Sequence, residues 1–369
     1  MAMGCFGTKP CTCGFLQFLL FLSLLYTHSV NIVDASRSQG GSNRGILVVG
    51  SLNADTFLPV DRLPTEGENL TTIPGRAVEI DVPGGKGCNQ AVACARLGRS
   101  TNAEGATPVS FLGQFGNDAA AQSLRAALVE AGVDVGECGV CESFPSGRGY
   151  VFLEKSGKVS AVVVGGSNVE GWEEWEDRAI HDDSYLSSLL ENKSCVLLQR
   201  EIPEEVNYLV AKKASELGVT VIQDLGGEDR PMDAATLSLC DYLIPNASEL
   251  KRLLRSLGED APIGEDDAKF SAVQCARALQ RYGAKNVLVT LGDEGSVLVL
   301  ADGSVTVSSA CELPADLSVV DETGAGDCYR AAFAVALAEG GRSLQSSMDF
   351  ASAAGALTVT KKGGEQCII

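Results

Sequence analysis

The chain has 369 residues, enough for one large α/β domain with a small appendage or for two small domains. Its formal net charge is −19, which makes nucleic acid and anionic membrane surfaces poor candidates for partners. A phosphate-bearing small molecule stays compatible with this charge, because backbone N–H groups can hold an anion locally. Only two histidines occur, His28 and His181, and neither lies in a chemical motif, so we expect no histidine base.

Residues 1–44 are predicted to be a leader and linker ahead of the fold. The run from Phe15 to Tyr26 is apolar, too short for a comfortable membrane span and about the length of a signal-peptide core. The 13 cysteines are scattered and odd in number, which is typical of reduced, intracellular cysteine. We therefore expect an organelle such as a plastid, or the cytoplasm, rather than secretion.

The body of the chain, residues 45–369, alternates short apolar strands with helices. This rhythm is clearest after Cys195 and predicts a doubly wound, mostly parallel α/β sheet with right-handed crossovers. Two segments, at about 56–82 and 147–165, alternate in hydrophobicity without a helical period. They are predicted to form a small separate sheet. The acidic stretch 170–184 is interpreted as an exposed insert without a clear role.

The segment Asp321–Asp327 (DETGAGD), followed by an apolar helical run, is the strongest chemical signal. Gly324, Ala325 and Gly326 at a helix start would let backbone N–H groups approach an anion closely. Asp327 beside this anion hole can accept a proton from a substrate hydroxyl while the hole stabilises a transferring phosphoryl group. Taken alone, the segment is equally compatible with a tight turn and a capping aspartate.

Four weaker signals accompany it. Gly84–Asn89 (GGKGCN) is a second glycine-rich loop entering a helix, without the Walker A or dinucleotide spacing. Asn53 and Asp55 follow the first buried strand and offer donors and acceptors for vicinal hydroxyls. Asn246 and Glu249 share a first helical turn, which fits either a capping box or a site near phosphate and Mg²⁺. Thr290–Gly295 is a turn that can cradle a nucleotide.

In this order and spacing, the five elements resemble the ribokinase family of the phosphofructokinase-B sugar kinases, over roughly 46–369. The resemblance implies an ATP-dependent kinase with a small β lid that closes over the sugar and mediates a homodimer. Asn53 and Asp55 together with the Gly84–Asn89 loop favour D-ribose, phosphorylated at O5 to give ribose 5-phosphate and ADP. A kinase for fructose, adenosine or deoxyribose, and a non-catalytic sugar- or nucleotide-binding protein, stay open as alternatives.

The resemblance also implies individual contacts. The implied sugar contacts are Asn53, Ala54, Asp55, Gly85, Lys86, Gly87, Cys88, Asn89, Glu201 and Asp327. The implied ATP contacts are Asn246, Thr290, Leu291, Gly292, Asp293, Glu294, Gly295, Gly326, Asp327 and Ser352. Glu249 is placed near the nucleotide's Mg²⁺. A monovalent cation site, usually K⁺, is implied at Asp321, Thr323, Thr358, Lys361, Gly363 and Cys367.

The chain departs from the family pattern at four positions near these sites. Glu322 replaces a small or β-branched residue, Arg330 and Ala331 replace a small polar residue and a glycine, and Cys367 replaces a serine-like residue. These changes bear on the cation site and on the turnover rate. They leave the predicted anion hole and the predicted base, Asp327, unchanged.

Overall fold

A computed structural model describes residues 44–98, 106–156, 158–259 and 267–361. Nearly all of the predicted leader, and two predicted cation ligands, Gly363 and Cys367, lie outside the described residues. The strands are β1 (Gly45–Val49), β2 (Asn53–Val60), β3 (Glu79–Gly84), β4 (Val109–Leu112), β5 (Gln114–Gly116), β6 (Gly139–Cys141), β7 (Arg148–Glu154), β8 (Val159–Val164), β9 (Lys193–Arg200), β10 (Thr220–Gly227), β11 (Tyr242–Ile244), β12 (Asn286–Thr290), β13 (Ser296–Val299) and β14 (Val305–Ser308).

Helices connect these strands and cover the sheet that they form. They are α1 (Lys86–Leu97), α2 (Ala119–Glu130), α3 (Glu173–His181), α4 (Asp183–Leu190), α5 (Glu204–Leu217), α6 (Ala234–Leu239), α7 (Ala247–Ser256), α8 (Ala268–Gln280), α9 (Ala325–Glu339) and α10 (Leu344–Thr358). Short 3₁₀ helices lie at Gly166–Asn168 and Gly292–Glu294.

An eight-stranded sheet forms the centre of the fold, in the order β14–β13–β12–β11–β10–β9–β1–β4. The strands from β12 to β4 are all parallel, and β13 and β14 are the antiparallel edge. Within β1, Leu47 and Val49 belong to one hydrophobic core, and Ile46 and Val48 belong to a second. Because side chains alternate between the faces of a strand, both faces are buried, and the doubly wound prediction is confirmed.

Four strands pair in the order β3–β2–β7–β8 and form a second sheet, separate from the eight-stranded one. Its strands β7 and β8 form a hairpin with the register Arg148↔Val164 through Leu153↔Val159, within the predicted segment 147–165. On β8, Val162 and Val163 are both more than half exposed. The separate small sheet is therefore present, while its action as a lid stays a prediction.

The interpretation of the acidic stretch 170–184 as an exposed insert was wrong, because part of this stretch is buried. Trp172 is 3% exposed and Ala179 is 6% exposed, and both belong to a hydrophobic core. The rings of Trp172 and Trp175 meet edge to face, with centroids 5.7 Å apart. The acidic residues of α3 occupy its outer side, and its apolar stripe packs inward, so the charge pattern alone was misleading.

Two further properties of the described residues concern their cysteines and their helices. The nine cysteines among them are all free thiols. Among the helices of the ranges that the structure covers, none combines the length and the apolar character needed to cross a membrane.

Candidate active site

The predicted site residues meet where parallel strands of the main sheet end and helices begin. β1 leads through Ser51 to the small sheet, β10 ends at Asp224–Gly227, and β11 leads into α7. Helices α1 and α9 point their first turns at the same region, where Asn89 and Asp327 form a hydrogen bond. This is the edge at which open α/β sheets bind their ligands.

The first glycine-rich loop packs directly on the chain that leaves β1. The N–H of Cys88 donates to the Ser51 carbonyl at 2.9 Å, and the N–H of Gly87 donates to Ser51 Oγ at 3.3 Å. A Cβ on Gly87 would lie 2.5 Å from the Ser51 backbone nitrogen. Glycine is therefore required for close approach of two backbone segments.

Substituting Gly87→Ala is expected to destabilise the protein by about 1–3 kcal/mol, because a backbone segment has to shift to admit the methyl group. The measurement is the denaturant midpoint of unfolding. Gly139→Ala is the matched control, since its Cβ would meet nothing closer than 3.5 Å. Equal midpoints for Gly87→Ala and the parent would contradict the close packing of this loop.

Two carboxylates lie on the predicted sugar side. Glu201 Oε2 accepts from the Ser51 hydroxyl and from the Lys86 N–H at 3.0 Å. Burial, and to a lesser extent the nearby Glu201 carboxylate, raises the pKa of Asp55 to about 6. Asp55 Oδ1 is buried and has no hydrogen-bond partner among the described residues. An unpaired buried acceptor is costly, so this oxygen is suited to a ligand hydroxyl.

Asn53 is held in place by a residue that sequence reasoning did not find. Asn168 Nδ2 donates to Asn53 Oδ1 at 2.8 Å and to the Leu52 carbonyl at 3.0 Å. Asn168 Oδ1 accepts from the Leu52 N–H at 2.8 Å. Asn168 thus holds Leu52 and Asn53 in place, at the start of β2. It lies in a 3₁₀ turn and belongs to no sequence motif.

Asp327 forms the meeting point of the two glycine-rich segments. Asn89 Nδ2 donates to its Oδ2 at 2.9 Å, and Gln90 Nε2 donates to its Oδ1 at 3.1 Å. The same Gln90 nitrogen lies 2.9 Å from Asp224 Oδ2, so one amide links two buried carboxylates. Asp327 is 7% exposed, so its carboxylate is buried at this junction.

Lys86 neutralises these two carboxylates. Its Nζ lies 3.4 Å from Asp224 Oδ2 and 3.7 Å from Asp327 Oδ1. Burial lowers the pKa of Lys86, but the Asp224 and Asp327 carboxylates outweigh it, so the net effect is a raised pKa. The ammonium group therefore stays charged beside the carboxylate of Asp327.

The second buried cation is Arg330, one turn after Gly326 on α9. Its Nε lies 3.0 Å from Asp224 Oδ1 and donates to the Ile244 carbonyl at 3.0 Å. Its Nη2 donates to Glu249 Oε2 at 3.1 Å. Burial lowers the pKa of Arg330, but Asp224 and Glu249 outweigh it and raise the pKa overall. The departure noted in the sequence is therefore an ionised part of the site.

The start of α9 is the segment predicted to form an anion hole. Gly324 is the N-cap residue with φ 79°, in the left-handed region that favours glycine. The N–H groups in the first turn of a helix lack intrahelical acceptors and carry partial positive charge. Gly324, Ala325 and Gly326 lie at this helix start next to Asp327, and the N–H of Ala325 donates to the Glu322 carbonyl at 3.2 Å. Their action as an anion hole stays a prediction.

The predicted nucleotide residues surround the beginning of α7 and the loop after β12. Asn246 and Glu249 form a reciprocal capping box, with bonds of 2.8 Å and 2.7 Å. A place for Glu249 near phosphate and Mg²⁺ stays a prediction. Asn246 is paired with Thr290 in a parallel bridge, at the start of the Thr290–Gly295 turn. Ser352 accepts from the Cys311 N–H at 2.9 Å, so it anchors a neighbouring loop.

The described part of the predicted cation site brings two segments together. The N–H groups of Val320 and Asp321 donate to the Val359 carbonyl at 2.7 Å and 3.2 Å. The N–H of Thr323 donates to Asp321 Oδ1 at 2.9 Å. The hydroxyl of Thr358 donates to the Ala354 carbonyl. The segments that carry Asp321 and Thr358 are therefore neighbours, as a shared site requires.

Comparison with known proteins gives the family directly. The model of the pfkB family of carbohydrate kinases matches residues 43–369. The chain belongs to this family. Arabidopsis thaliana ribokinase is 37% identical over 326 residues, 86% of this chain and 76% of that protein. Schizosaccharomyces pombe ribokinase is 31% identical, over 88% of this chain and 94% of the relative.

Solved structures agree with the fold of this pfkB kinase. Arabidopsis thaliana ribokinase complexed with ribose and ATP superposes with a TM-score of 0.73 at 36% identity, covering 88% of this chain and 95% of the other. Ribokinase from Thermotoga maritima gives a TM-score of 0.69 at 30% identity, covering 88% and 96%. The resemblance drawn from five short motifs is therefore confirmed over the whole body of the chain.

Proposed function

We propose that this pfkB kinase transfers the γ-phosphoryl group of ATP to O5 of D-ribose, giving ribose 5-phosphate and ADP. One observation carries the proposal: Asn89 of the predicted sugar loop and the helix start predicted to form the anion hole both meet at the carboxylate of Asp327. The Arabidopsis thaliana relative, solved with ribose and ATP, supports both substrates.

The proposed chemistry assigns a role to each side of the site. Asp327 takes the proton from the attacking hydroxyl, as the new O–P bond forms and the bond to ADP breaks. The N–H groups at Gly324–Gly326 stabilise charge on the transferring phosphoryl group. Lys86, held between Asp224 and Asp327, offsets negative charge where ribose and phosphate meet. Asp55, Asn53 and Glu201 bind the sugar hydroxyls.

The nucleotide is proposed to bind across Asn246, the Thr290–Gly295 turn and the loop anchored by Ser352. A magnesium ion fits beside Glu249, because both described bonds of its carboxylate use Oε2 and leave Oε1 for a water-bridged contact. When bound with ATP, such an ion neutralises charge on the phosphate oxygens. Glu249 is oriented for this by the capping box and by Arg330.

A potassium ion is proposed at the segments that carry Asp321 and Thr358. The donor set is mainly oxygen, as a hard cation prefers, and the two described segments are adjacent through the Val359 carbonyl.

The small sheet, with β2 and β3 on one side and β7 and β8 on the other, is proposed as the lid over the sugar. Its exposed valines fit a homodimer contact of the lid.

Ribose affinity is expected to fall as the pH drops through about 6, because the Asp55 carboxyl is then protonated. With a folded pKa above its ordinary value, Asp55 contributes stability that is present at low pH and lost as the pH rises through about 6. Above about pH 6 the ionised Asp55 carboxylate therefore costs the folded protein stability. Bound sugar hydroxyls offset this cost only when they donate to the carboxylate. Calorimetry should give a ribose Kd about tenfold higher at pH 5 than at pH 7.5.

Asp55→Asn provides the control, since an amide does not titrate in this range, and its ribose Kd should depend less on pH. An equal ribose Kd at pH 5 and pH 7.5 in the parent enzyme would contradict the assignment of Asp55 to the sugar.

The product tests the function directly. With ribose and ATP, ³¹P NMR is expected to show a phosphate ester on C5, with the proton coupling of a CH₂ group. An ester on C1, with coupling to a single anomeric proton, would keep the kinase chemistry but overturn the attacking hydroxyl.

Omitting K⁺ and supplying tetramethylammonium at equal ionic strength should lower the rate if the cation site is as proposed.

A further inference from the structure

Arg330 is a buried cation at the start of a helix, a place that disfavours cations. The helix macrodipole puts partial positive charge at the N-terminus, and burial of a guanidinium is costly. Arg330 is nonetheless 3% exposed, one turn into α9. Its ion pairs with Asp224 and Glu249 offset these costs. A small neutral residue would avoid them altogether, so the arginine needs a functional explanation.

The guanidinium lies against the predicted anion hole. Side chains on a helix lean towards its N-terminus, so Arg330 covers the turn that contains Gly326. A Cβ on Gly326 would lie 2.6 Å from Arg330 Nη1. The described hydrogen bonds and ion pairs of Arg330 use Nε and Nη2. Nη1 is therefore the nitrogen that lies beside the glycine turn.

The charges around the site indicate a role for Nη1 of Arg330. The ion-pair network joins three carboxylates, those of Asp224, Glu249 and Asp327, to two cations, Lys86 and Arg330. Lys86 contacts the pair of carboxylates on the sugar side. Without Arg330, the Glu249 carboxylate would face an approaching triphosphate without a cation paired to it, and like charges repel strongly in a buried site.

We propose that Arg330 binds the terminal phosphoryl group of ATP through Nη1 and stabilises the charge that develops on it during transfer. The guanidinium remains protonated throughout, and the proton of the attacking hydroxyl goes to Asp327. Arginine suits this role because its planar fork can hold two carboxylates and still offer an N–H to phosphate. The inference rests on the proposed function, since it concerns the same phosphoryl transfer.

Nucleotide binding in the absence of sugar tests the contact. Calorimetry with Mg²⁺ should compare the β,γ-imido analogue of ATP with ADP, in the parent and in Arg330→Gln. The variant should lose roughly tenfold or more of its affinity for the analogue, the scale of one charge-assisted hydrogen bond, and keep its affinity for ADP. Its kcat with ribose should fall by about 100-fold or more, while the ribose Kd stays within a few-fold.

Arg200→Gln is the matched control. Arg200 is also buried, at 2% exposure, and its Nε lies 2.8 Å from Glu204 Oε1, while its Nη2 donates to the Arg230 carbonyl at 2.7 Å. Its loss should lower the Tm and leave the ratio of analogue to ADP affinity unchanged. Arg330→Lys supplies a second variant if the glutamine protein does not fold. It keeps the charge without the fork, and a several-fold drop in the same ratio is expected.

An unchanged ratio in the Arg330 variants, or equal losses for the analogue and ADP, would overturn the phosphate contact. The two hypotheses fail separately. A selective loss of analogue affinity in a protein that phosphorylates no ribose would retain the contact and refute the substrate. Ribose turnover by a parent that shows no selective loss in the variants would retain the substrate and refute the contact.

Discussion

Asp327→Asn is expected to lower kcat for ribose phosphorylation by about 1,000-fold, the largest effect of any single substitution in the site. The amide has the shape of the carboxylate and can still accept from Asn89, whose bond to Asp327 is 2.9 Å. It cannot take the proton of the attacking hydroxyl. The ribose and ATP dissociation constants should therefore change only a few-fold, and steady-state kinetics combined with calorimetry separates the two effects.

The matched control is Asp233→Asn. Asp233 caps α6 through the N–H of Thr236 at 2.7 Å, so the same chemical change is made at a helix start outside the site. Asparagine also caps helices, and we expect the parent rate. Turnover at the parent rate by Asp327→Asn would refute the role of Asp327 as the base.

Asp55→Ala is expected to raise the KM for ribose by about 100-fold, because the sugar hydroxyls lose a buried, charged acceptor. Among the described residues Asp55 Oδ1 is buried and has no hydrogen-bond partner, so a sugar hydroxyl can donate to it without displacing a described donor. The KM for ATP should stay close to that of the parent. Initial rates over a range of ribose and ATP concentrations give both constants.

Asp61→Ala provides the comparison for this second prediction. Asp61 follows the same strand, β2, and is exposed, so its loss should leave both KM values unchanged. A drop in kcat for Asp55→Ala at an unaltered KM for ribose would contradict a binding role and would point to a role in the chemical step.

Local patterns were enough to predict most of the fold. The alternation of apolar strands and helices after Cys195 was enough to predict the mostly parallel sheet, and helices such as α5 and α7 there each bury an apolar stripe. The acidic stretch was misread because its charges concealed the inward-packed Trp172.

Long-range partners explain what the sequence could not predict in the site. Asp224 lies at the carboxyl end of a buried strand, a position that could have marked it, but its contacts with Lys86 and Arg330 come from distant parts of the chain. Arg330 was noticed only as a departure, since nothing local to it indicates two carboxylate partners. Asn168 has no sequence signal, because its role depends on where β2 passes.

The most direct test of the central claim is ADP release by the protein starting at Gly45, with ribose, fructose and adenosine supplied in turn at saturating ATP and Mg²⁺. We predict ADP formation with ribose that exceeds the other two by at least tenfold in kcat/KM and that K⁺ increases. Preferential turnover of fructose or adenosine would contradict the ribose assignment and leave the fold and Asp327 in place. A folded protein that binds ATP but forms no ADP with any of the three would contradict the proposed phosphorylation of ribose.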